Sequence, residues 1–120
     1  FNCFLEADQR LPMMYIDDCI RGTIEFLEAD TEQLKCRTYN LGAIDFTPQQ
    51  QYEVLKAKIP ELEIVYKPDF RVDIAKTWPR SLDSSDAEKD WGWKHEFTLE
   101  KMSDIMLKHI QLRADKGDLK

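Results

Sequence analysis

The sequence predicts a small α/β domain in which short strands accompany about four helices. Short apolar segments alternate with stretches of helical spacing along the first half of the chain, an order typical of α/β folds. Two helix starts are strong: Thr47 precedes a proline at the first helical position, and Thr98 opens the last stretch of helical spacing. The 120 residues, 42% of them hydrophobic, suit one domain with one core.

The first part of the chain predicts two strands and one helix. Residues 1–5 and 11–16 are short and apolar, with a polar turn between them. Residues 17–29 begin with two acids, as helix starts prefer, and continue at helical spacing. The side chains at that spacing predict a buried helix face; they are Cys19, Ile20, Thr23, Ile24 and Leu27. Gly22, inside this helix, indicates close packing against a neighbour.

The middle of the chain predicts a strand, a helix and a further strand. Residues 37–41 alternate in polarity and predict a strand that ends at Gly42. The helix that Thr47 caps runs to about residue 59, because Pro60 cannot continue it. Residues 63–66 then form a short apolar strand.

The last part of the chain predicts two helices. The first is capped by Asp83 or Ser84, runs to about residue 90, and is broken by Gly92. The second begins after Thr98 and reaches residue 112. Residues 113–120 are polar, and we expect them to form a frayed tail.

Residues 71–93 hold all three tryptophans of the chain, and tryptophan carries the largest apolar area of any residue. We expect this segment to form the floor of the domain and one wall of a substrate pocket, with Trp91 and Trp93 in the core. Two interpretations stay open for Trp78, core and pocket wall. Two also stay open for Arg71: bidentate recognition of a carboxylate or phosphate, or an ion pair with a neighbouring aspartate.

The charge and the cysteines limit the classes of function. The formal net charge of −6 argues against nonspecific nucleic-acid binding and against adhesion to anionic membranes. No apolar run approaches the ~20 residues of a membrane helix. The three cysteines are widely spaced and odd in number, which is typical of free thiols in a reducing compartment.

A tyrosine and a lysine spell Y-x-x-x-K at Tyr52 and Lys56, the spacing of a dehydrogenase acid–base pair. We reject a catalytic role because the pair follows the Thr47 cap on a surface helix, with no cofactor-binding unit before it. The adjacent acids Asp17 and Asp18 point in different directions on a helix, so capping with a solvated carboxylate is the better interpretation.

Neither metal nor nucleotide chemistry has a signature in the sequence. The two histidines are isolated and lack ligand spacing; they are His95 and His109. The four glycines are scattered, and no G-x-G-x-x-G loop occurs. We therefore predict no catalytic, cofactor-binding or metal-binding residue in this chain.

Three blocks together resemble a known family. L-P-M-M-Y-I-D-D-C-I-R-G-T-I-E-F-L-E-A at 11–29, R-T-Y-N-L-G-A-I-D-F-T-P at 37–48, and the run from Y-K-P-D-F-R to D-W-G-W at 66–93 follow one another in order. They resemble the C-terminal portion of the L-threonine 3-dehydrogenases, extended short-chain dehydrogenases of the NAD-dependent epimerase/dehydratase type. The third block departs from the family pattern in two places, since Val72-Asp73 stands for Gln-x and Lys76 for Asp.

The resemblance implies a substrate-binding part at 1–112 of a Rossmann-type parent, followed by the polar tail. The parent would oxidise L-threonine with NAD to 2-amino-3-ketobutyrate, as a homodimer, in the mitochondrial matrix of a eukaryote or the cytoplasm of a bacterium. The glycine-rich loop and the catalytic Tyr and Lys would belong to an N-terminal domain absent here, so this chain alone would be inactive. Trp78 matches a family tryptophan expected to line the amino-acid pocket, and Arg71 matches a family arginine.

Two other functions remain open from the sequence. A nucleotide-sugar epimerase or dehydratase would need Arg10 and Arg71 to grip a pyrophosphate. A non-catalytic interaction fragment would expose apolar surface and self-associate.

Overall fold

The computed structural model describes residues 1–118 and is a mixed α/β structure. The elements in chain order are β1 (Asn2–Cys3), β2 (Leu11–Met13), α1 (Ile16–Glu28), β3 (Ile44–Phe46), α2 (Pro48–Lys58), β4 (Val65–Tyr66), α3 (Arg71–Lys76), α4 (Ser85–Trp91) and α5 (Leu99–Asp115). The predicted fold class is confirmed, with five helices in this range where about four were expected. Among the described residues, no helix is long and apolar enough to cross a membrane.

The strands form two separate pairs. β1 and β4 are parallel, whereas β2 and β3 are antiparallel. The paired residues are Asn2 with Val65, Cys3 with Tyr66, Leu11 with Phe46, Pro12 with Asp45, and Met13 with Ile44. Both pairs join segments that are distant in sequence: β1–β4 joins the start of the chain to its second half, and β2–β3 closes the first half on itself.

The strand predicted at 37–41 is wrong, because the structure has no strand there and places β3 further along the chain. Leu11 of β2 faces Phe46 of β3, and both side chains are buried. Tyr39, inside the predicted strand, instead turns its hydroxyl toward Asp90 and donates a hydrogen bond of 2.7 Å. Burial of the Leu11–Phe46 pair therefore sets the register, against the local alternation of the earlier segment.

The helix predicted at 17–29 is present as α1, but the face predicted to be buried is wrong. Its apolar side chains point outward: Ile16 is 58% exposed, Ile20 53%, Ile24 48% and Leu27 75%. These four recur at spacings of three and four residues and so share one side of the helix.

The opposite side of α1 packs inward through a glycine and an aspartate. A Cβ atom on Gly22 would lie 2.6 Å from Cζ3 of Trp93 and 2.9 Å from Cδ1 of Leu41, so the indole ring occupies the space that a side chain would need. The close packing expected at Gly22 is confirmed. Asp18 is fully buried beside it, and a carboxylate at this depth requires partners.

Local capping chemistry sets the starts of α2 and α5. The Thr47 hydroxyl accepts from the Gln50 amide at 3.2 Å while the Gln50 side chain accepts from the Thr47 amide at 3.0 Å, which completes a capping box. Thr98 accepts from the Lys101 amide at 3.3 Å. Both predicted starts are confirmed. α5 continues past the expected end at 112 to Asp115, and the last two residues of the predicted tail lie outside the described residues.

The short helix α3 was not predicted. Its N-cap, Phe70, has no side-chain oxygen, but the Asp69 carboxylate before it accepts from the Arg71 amide at 3.0 Å. Val72 and Ala75 of α3 are buried while Ile74 is 53% exposed. Tertiary burial of two small side chains therefore stabilises this helix together with the aspartate at its start, which stands one residue before the N-cap and not at it as in α2 and α5.

Candidate functional site

A cavity of 260 Å³ lies between the loop that follows β1 and the segment that follows α3. Its lining residues are Glu6, Asp8, Gln9, Arg10, Lys76, Trp78 and Arg80. The indole of Trp78 is one wall and is 55% exposed. Of the two open interpretations of Trp78, the structure places it at a pocket wall.

The end of α3 turns Trp78 away from the core. The Thr77 amide donates to the Ile74 carbonyl at 3.1 Å, and the Trp78 amide donates to the Ala75 carbonyl at 3.2 Å. The Ala75 carbonyl also accepts from the Gln9 side chain at 3.5 Å. Burial of Ala75 thus fixes the segment, and Gln9 joins it to the opposite wall of the cavity.

The charges around the cavity are only partly paired. Lys76 lies 3.3 Å from the Glu6 carboxylate. Arg10 is held by the side chain and carbonyl of Asp45 and by Gln50. Within residues 1–118, Asp8 and Arg80 form no ion pair. One carboxylate and one guanidinium of the lining therefore remain without a protein partner in the described chain.

Arg71 lies outside this cavity. Its guanidinium donates from Nη2 to Asp69 at 2.6 Å and from Nε at 3.0 Å, and it stacks 3.5 Å from the centroid of the Phe4 ring. The hydrogen bonds from Arg71 lower the pKa of Asp69. The structure therefore shows the ion-pair arrangement, and substrate binding by Arg71 stays a prediction.

The Y-x-x-x-K pair has a structural role. The Lys56 ammonium donates to the Leu62 carbonyl at 2.7 Å, and the Tyr52 hydroxyl donates to the same carbonyl at 3.5 Å. Together they fasten the end of α2 to the chain that leads to β4. Their shared partner is a backbone carbonyl, which takes no part in proton transfer.

Asp18 differs more from its predicted surroundings than any other candidate residue. The expectation of a solvated capping carboxylate is wrong, since Asp18 is buried and accepts from the amides of Glu96 and Phe97 at 3.0 Å each and from Arg21 at 2.7 Å. Burial raises the pKa of this carboxyl, but the hydrogen bonds from Arg21 and from the two amides outweigh burial and lower it overall. The ionised carboxylate therefore joins α1 to the chain before α5.

The D-W-G-W box is a second structural junction. Gly92 has a φ of +80° and ends α4 in the left-handed conformation that favours glycine. Trp93 is 2% exposed and donates from Nε1 to the Gly42 carbonyl at 2.9 Å. Asp90 accepts from Tyr39, and burial together with this anionic partner raises the pKa of Tyr39 to about 12. The core position predicted for Trp93 is confirmed.

The glycines offer no cradle for a phosphate. Gly22 packs against Trp93, and a Cβ on Gly42 would lie 2.4 Å from the Leu82 carbonyl oxygen. Gly92 and Gly117 have positive φ at the ends of helices. Among the described residues no three His, Cys, Asp or Glu side chains gather as a metal site.

The loop around Asp8 was not predicted to line a cavity, because its sequence indicates only a polar turn. Arg80 gave no signal either. Lys76 did give a signal, because it stands where the family pattern has Asp. The structure places Lys76 in the cavity lining, where it forms an ion pair with Glu6.

Comparison with known proteins connects this arrangement to one class. No family model matches the chain. The mitochondrial L-threonine 3-dehydrogenase of Bos taurus is 49% identical over 108 residues, 89% of this chain and 29% of the relative. An uncharacterized epimerase/dehydratase of Staphylococcus haemolyticus is 34% identical over 92% of this chain and 36% of its own length. The crystal structure of L-threonine dehydrogenase from Phytophthora infestans superimposes with a TM-score of 0.91 at 43% identity, covering 94% of this chain and 37% of that one.

The class that shares this sequence and fold is thus the dehydrogenases and epimerase/dehydratases of the short-chain type. Within that class the chain is similar to the C-terminal portion of the L-threonine 3-dehydrogenases. It spans less than a third of the length of the cattle relative.

Proposed function

We propose that this chain forms the substrate side of an NAD-dependent L-threonine 3-dehydrogenase, with Trp78 as a wall of the amino-acid pocket. The observation that carries the proposal is the exposed indole of Trp78 at a cavity with charges of both signs. The cattle and Phytophthora relatives, named as threonine dehydrogenases, support the choice of substrate. The name of the cattle relative also supports a mitochondrial matrix location if the source is eukaryotic.

The lining suits a small zwitterion. Ligand pockets in proteins commonly measure about 300–1,000 Å³, and 260 Å³ lies below that range, as a substrate as small as an amino acid requires. An amino acid carries a carboxylate and an ammonium, which complement the unpaired Arg80 and Asp8. Trp78 adds an apolar face for the carbon skeleton of the substrate. These residues would bind and orient threonine and would move no proton themselves.

The positions of two arginines disfavour a nucleotide-sugar substrate. Arg10 and Arg71 would have to converge on a pyrophosphate. Arg10 is held by Asp45 and Gln50, whereas Arg71 is held by Asp69 away from the cavity. The similarity to epimerase/dehydratases therefore supports the shared fold more than a shared substrate.

The described residues do not fit NAD as its binding site, because their glycines are packed or end helices and form no phosphate loop. NAD, the hydride acceptor, would bind to the part of the parent enzyme that lies outside the region covered by this chain. We expect no NADH from this chain alone with L-threonine and NAD. We expect the parent to be a homodimer.

Titration of the chain with L-threonine tests the proposal. In ¹H–¹⁵N spectra the exposed Trp78 indole resonance is expected to shift saturably, while the buried Trp93 indole, bonded to Gly42, stays fixed. A Trp78→Phe variant identifies the resonance. L-threonine is compared with 3-hydroxybutyrate, which lacks the ammonium, and with threoninol, which lacks the carboxylate.

The outcomes separate the candidates. A saturable shift with threonine and none with either analogue supports an amino-acid pocket. A shift with a UDP-sugar and none with threonine would transfer the proposal to the epimerase class. No shift with any of these ligands would remove Trp78 from the substrate pocket.

A further inference from the structure

The charged side chains of the candidate cavity are paired selectively. The Lys76 ammonium lies 3.3 Å from the Glu6 carboxylate, and both belong to the lining. Arg10, also in the lining, pairs with Asp45, which does not line the cavity. The two other charged members, one anion and one cation, form no ion pair in the described part of the chain. The pairing therefore leaves one charge of each sign for a ligand.

The cavity is small enough for a different pairing to compete. A sphere of 260 Å³ is about 8 Å across, close to the Debye length of ~8 Å at physiological ionic strength, so a charge on one wall acts on the opposite wall. Arg80 is exposed, and arginine side chains have many rotamers. Without Lys76, the Glu6 carboxylate would attract the Arg80 guanidinium across the cavity. Lys76 and Arg80 are therefore competitors for Glu6.

We infer that Lys76 is a positioning residue that keeps Arg80 available for the carboxylate of the substrate. By neutralising Glu6, Lys76 removes the protein carboxylate that would otherwise occupy this guanidinium. A guanidinium binds one carboxylate in a bidentate manner, so Glu6 and the substrate would exclude each other at Arg80. The inference rests on the proposed function in one respect, the small zwitterionic substrate.

The competition is tested by removing first the ammonium and then the carboxylate. The Kd of L-threonine is measured at low ionic strength from the shift of the Trp78 indole resonance. Lys76→Met should raise this Kd about two- to fivefold, the scale on which exposed ion pairs act. Adding Glu6→Gln should return the Kd to the wild-type value, because the competing carboxylate is gone.

A merely structural role of the ion pair gives a different pattern. If Lys76 only fastened α3 to the loop after β1, the double variant would bind threonine as weakly as Lys76→Met or more weakly. That result would overturn the inference, and so would an unchanged Kd in Lys76→Met. The conservative Lys76→Arg keeps a cation beside Glu6 and should retain the wild-type Kd.

A second measurement needs no ligand. The Nε–H resonance of Arg80 in ¹H–¹⁵N spectra, assigned with Arg80→Gln, should shift in Lys76→Met and return when Glu6→Gln is added. An Arg80 resonance that stays fixed in Lys76→Met would overturn the inference even where threonine does not bind. If the resonance responds as expected but threonine leaves Trp78 unshifted in the wild type, the proposed function fails and the competition for Glu6 stands.

Lys58→Met is the matched control. Lys58 pairs with Asp104 between α2 and α5, and neither residue lines the cavity. The substitution removes one ion pair and one positive charge, as Lys76→Met does. It should leave both the threonine Kd and the Arg80 resonance unchanged. Equal changes in the control would assign the effect to net charge and overturn the role of Lys76.

Discussion

Trp93 and Trp78 belong to the same tryptophan-rich segment but have opposite surroundings. Trp93 is 2% exposed, bonded to Gly42 and packed on Gly22. Trp78 is 55% exposed and lines a cavity with charged neighbours. The apolar area of a tryptophan therefore predicts burial only where the local backbone turns the ring inward. At Trp78 the end of α3 turns the ring outward.

The largest expected effect is the loss of stability when the buried Trp93 is replaced. Trp93→Ala should lower the free energy of unfolding by about 3–5 kcal/mol, whereas Trp78→Ala should change it by about 0.5 kcal/mol or less. Urea denaturation followed by circular dichroism measures both. If Trp93→Ala unfolds the chain, Trp93→Phe gives a smaller loss that can still be compared. Equal losses at the two positions would contradict the contrast.

The next effect concerns the buried carboxylate of Asp18. Asp18→Asn should cost about 1.5–3 kcal/mol at neutral pH, since an amide cannot replace an anion that accepts two amides and a guanidinium. The native pKa of Asp18 lies below its ordinary value of 3.8. Its contribution is therefore complete above that value and is lost as the pH falls through the lower native pKa. Denaturation midpoints of both proteins at several pH values should converge in acid; a constant gap would contradict this role.

A smaller effect probes the contact between Gly22 and Trp93. Gly22→Ala improves helix propensity by about 1 kcal/mol, but the added Cβ would meet the indole at 2.6 Å, and overpacking costs about 1–3 kcal/mol. We expect a net loss of stability. In a Trp93→Phe background the smaller ring leaves space, so the same substitution should become neutral or stabilising. A double-mutant cycle measured by urea denaturation checks this coupling.

The smallest expected effect concerns Arg71, which precedes Trp78 in the chain but lies outside the cavity. Arg71→Met removes an exposed ion pair with Asp69, so stability should change little. The threonine-induced shift of the Trp78 indole should persist, because Arg71 does not line the cavity. Loss of that shift in ¹H–¹⁵N spectra, with the fold retained, would return Arg71 to the substrate site.

Local signals were enough for the starts of α2 and α5, and distant contacts decided the rest. Thr47 and Thr98 cap helices through side-chain oxygens that the sequence displays. β3 could not be placed because its position depends on Leu11 across the fold. The buried face of α1 was predicted on the wrong side, because the spacing of apolar residues shows that they share a face but not whether that face packs on the core of this chain. Of the residues that line the cavity, the resemblance pointed to Trp78, whereas Asp8 and Arg80 gave no signal in the sequence.

Asp18 also constrains the order in which the chain can fold. Its amide partner Glu96 lies 78 residues further along the chain, and Asn2 of β1 pairs with Val65 of β4. Contacts between such distant residues slow folding, because loop closure precedes any gain from the contact. The Asp18 carboxylate has Arg21 of its own helix as a partner from the start, but the amides of Glu96 and Phe97 reach it only when the last quarter of the chain is present. The junction between α1 and the chain before α5 therefore closes late in folding.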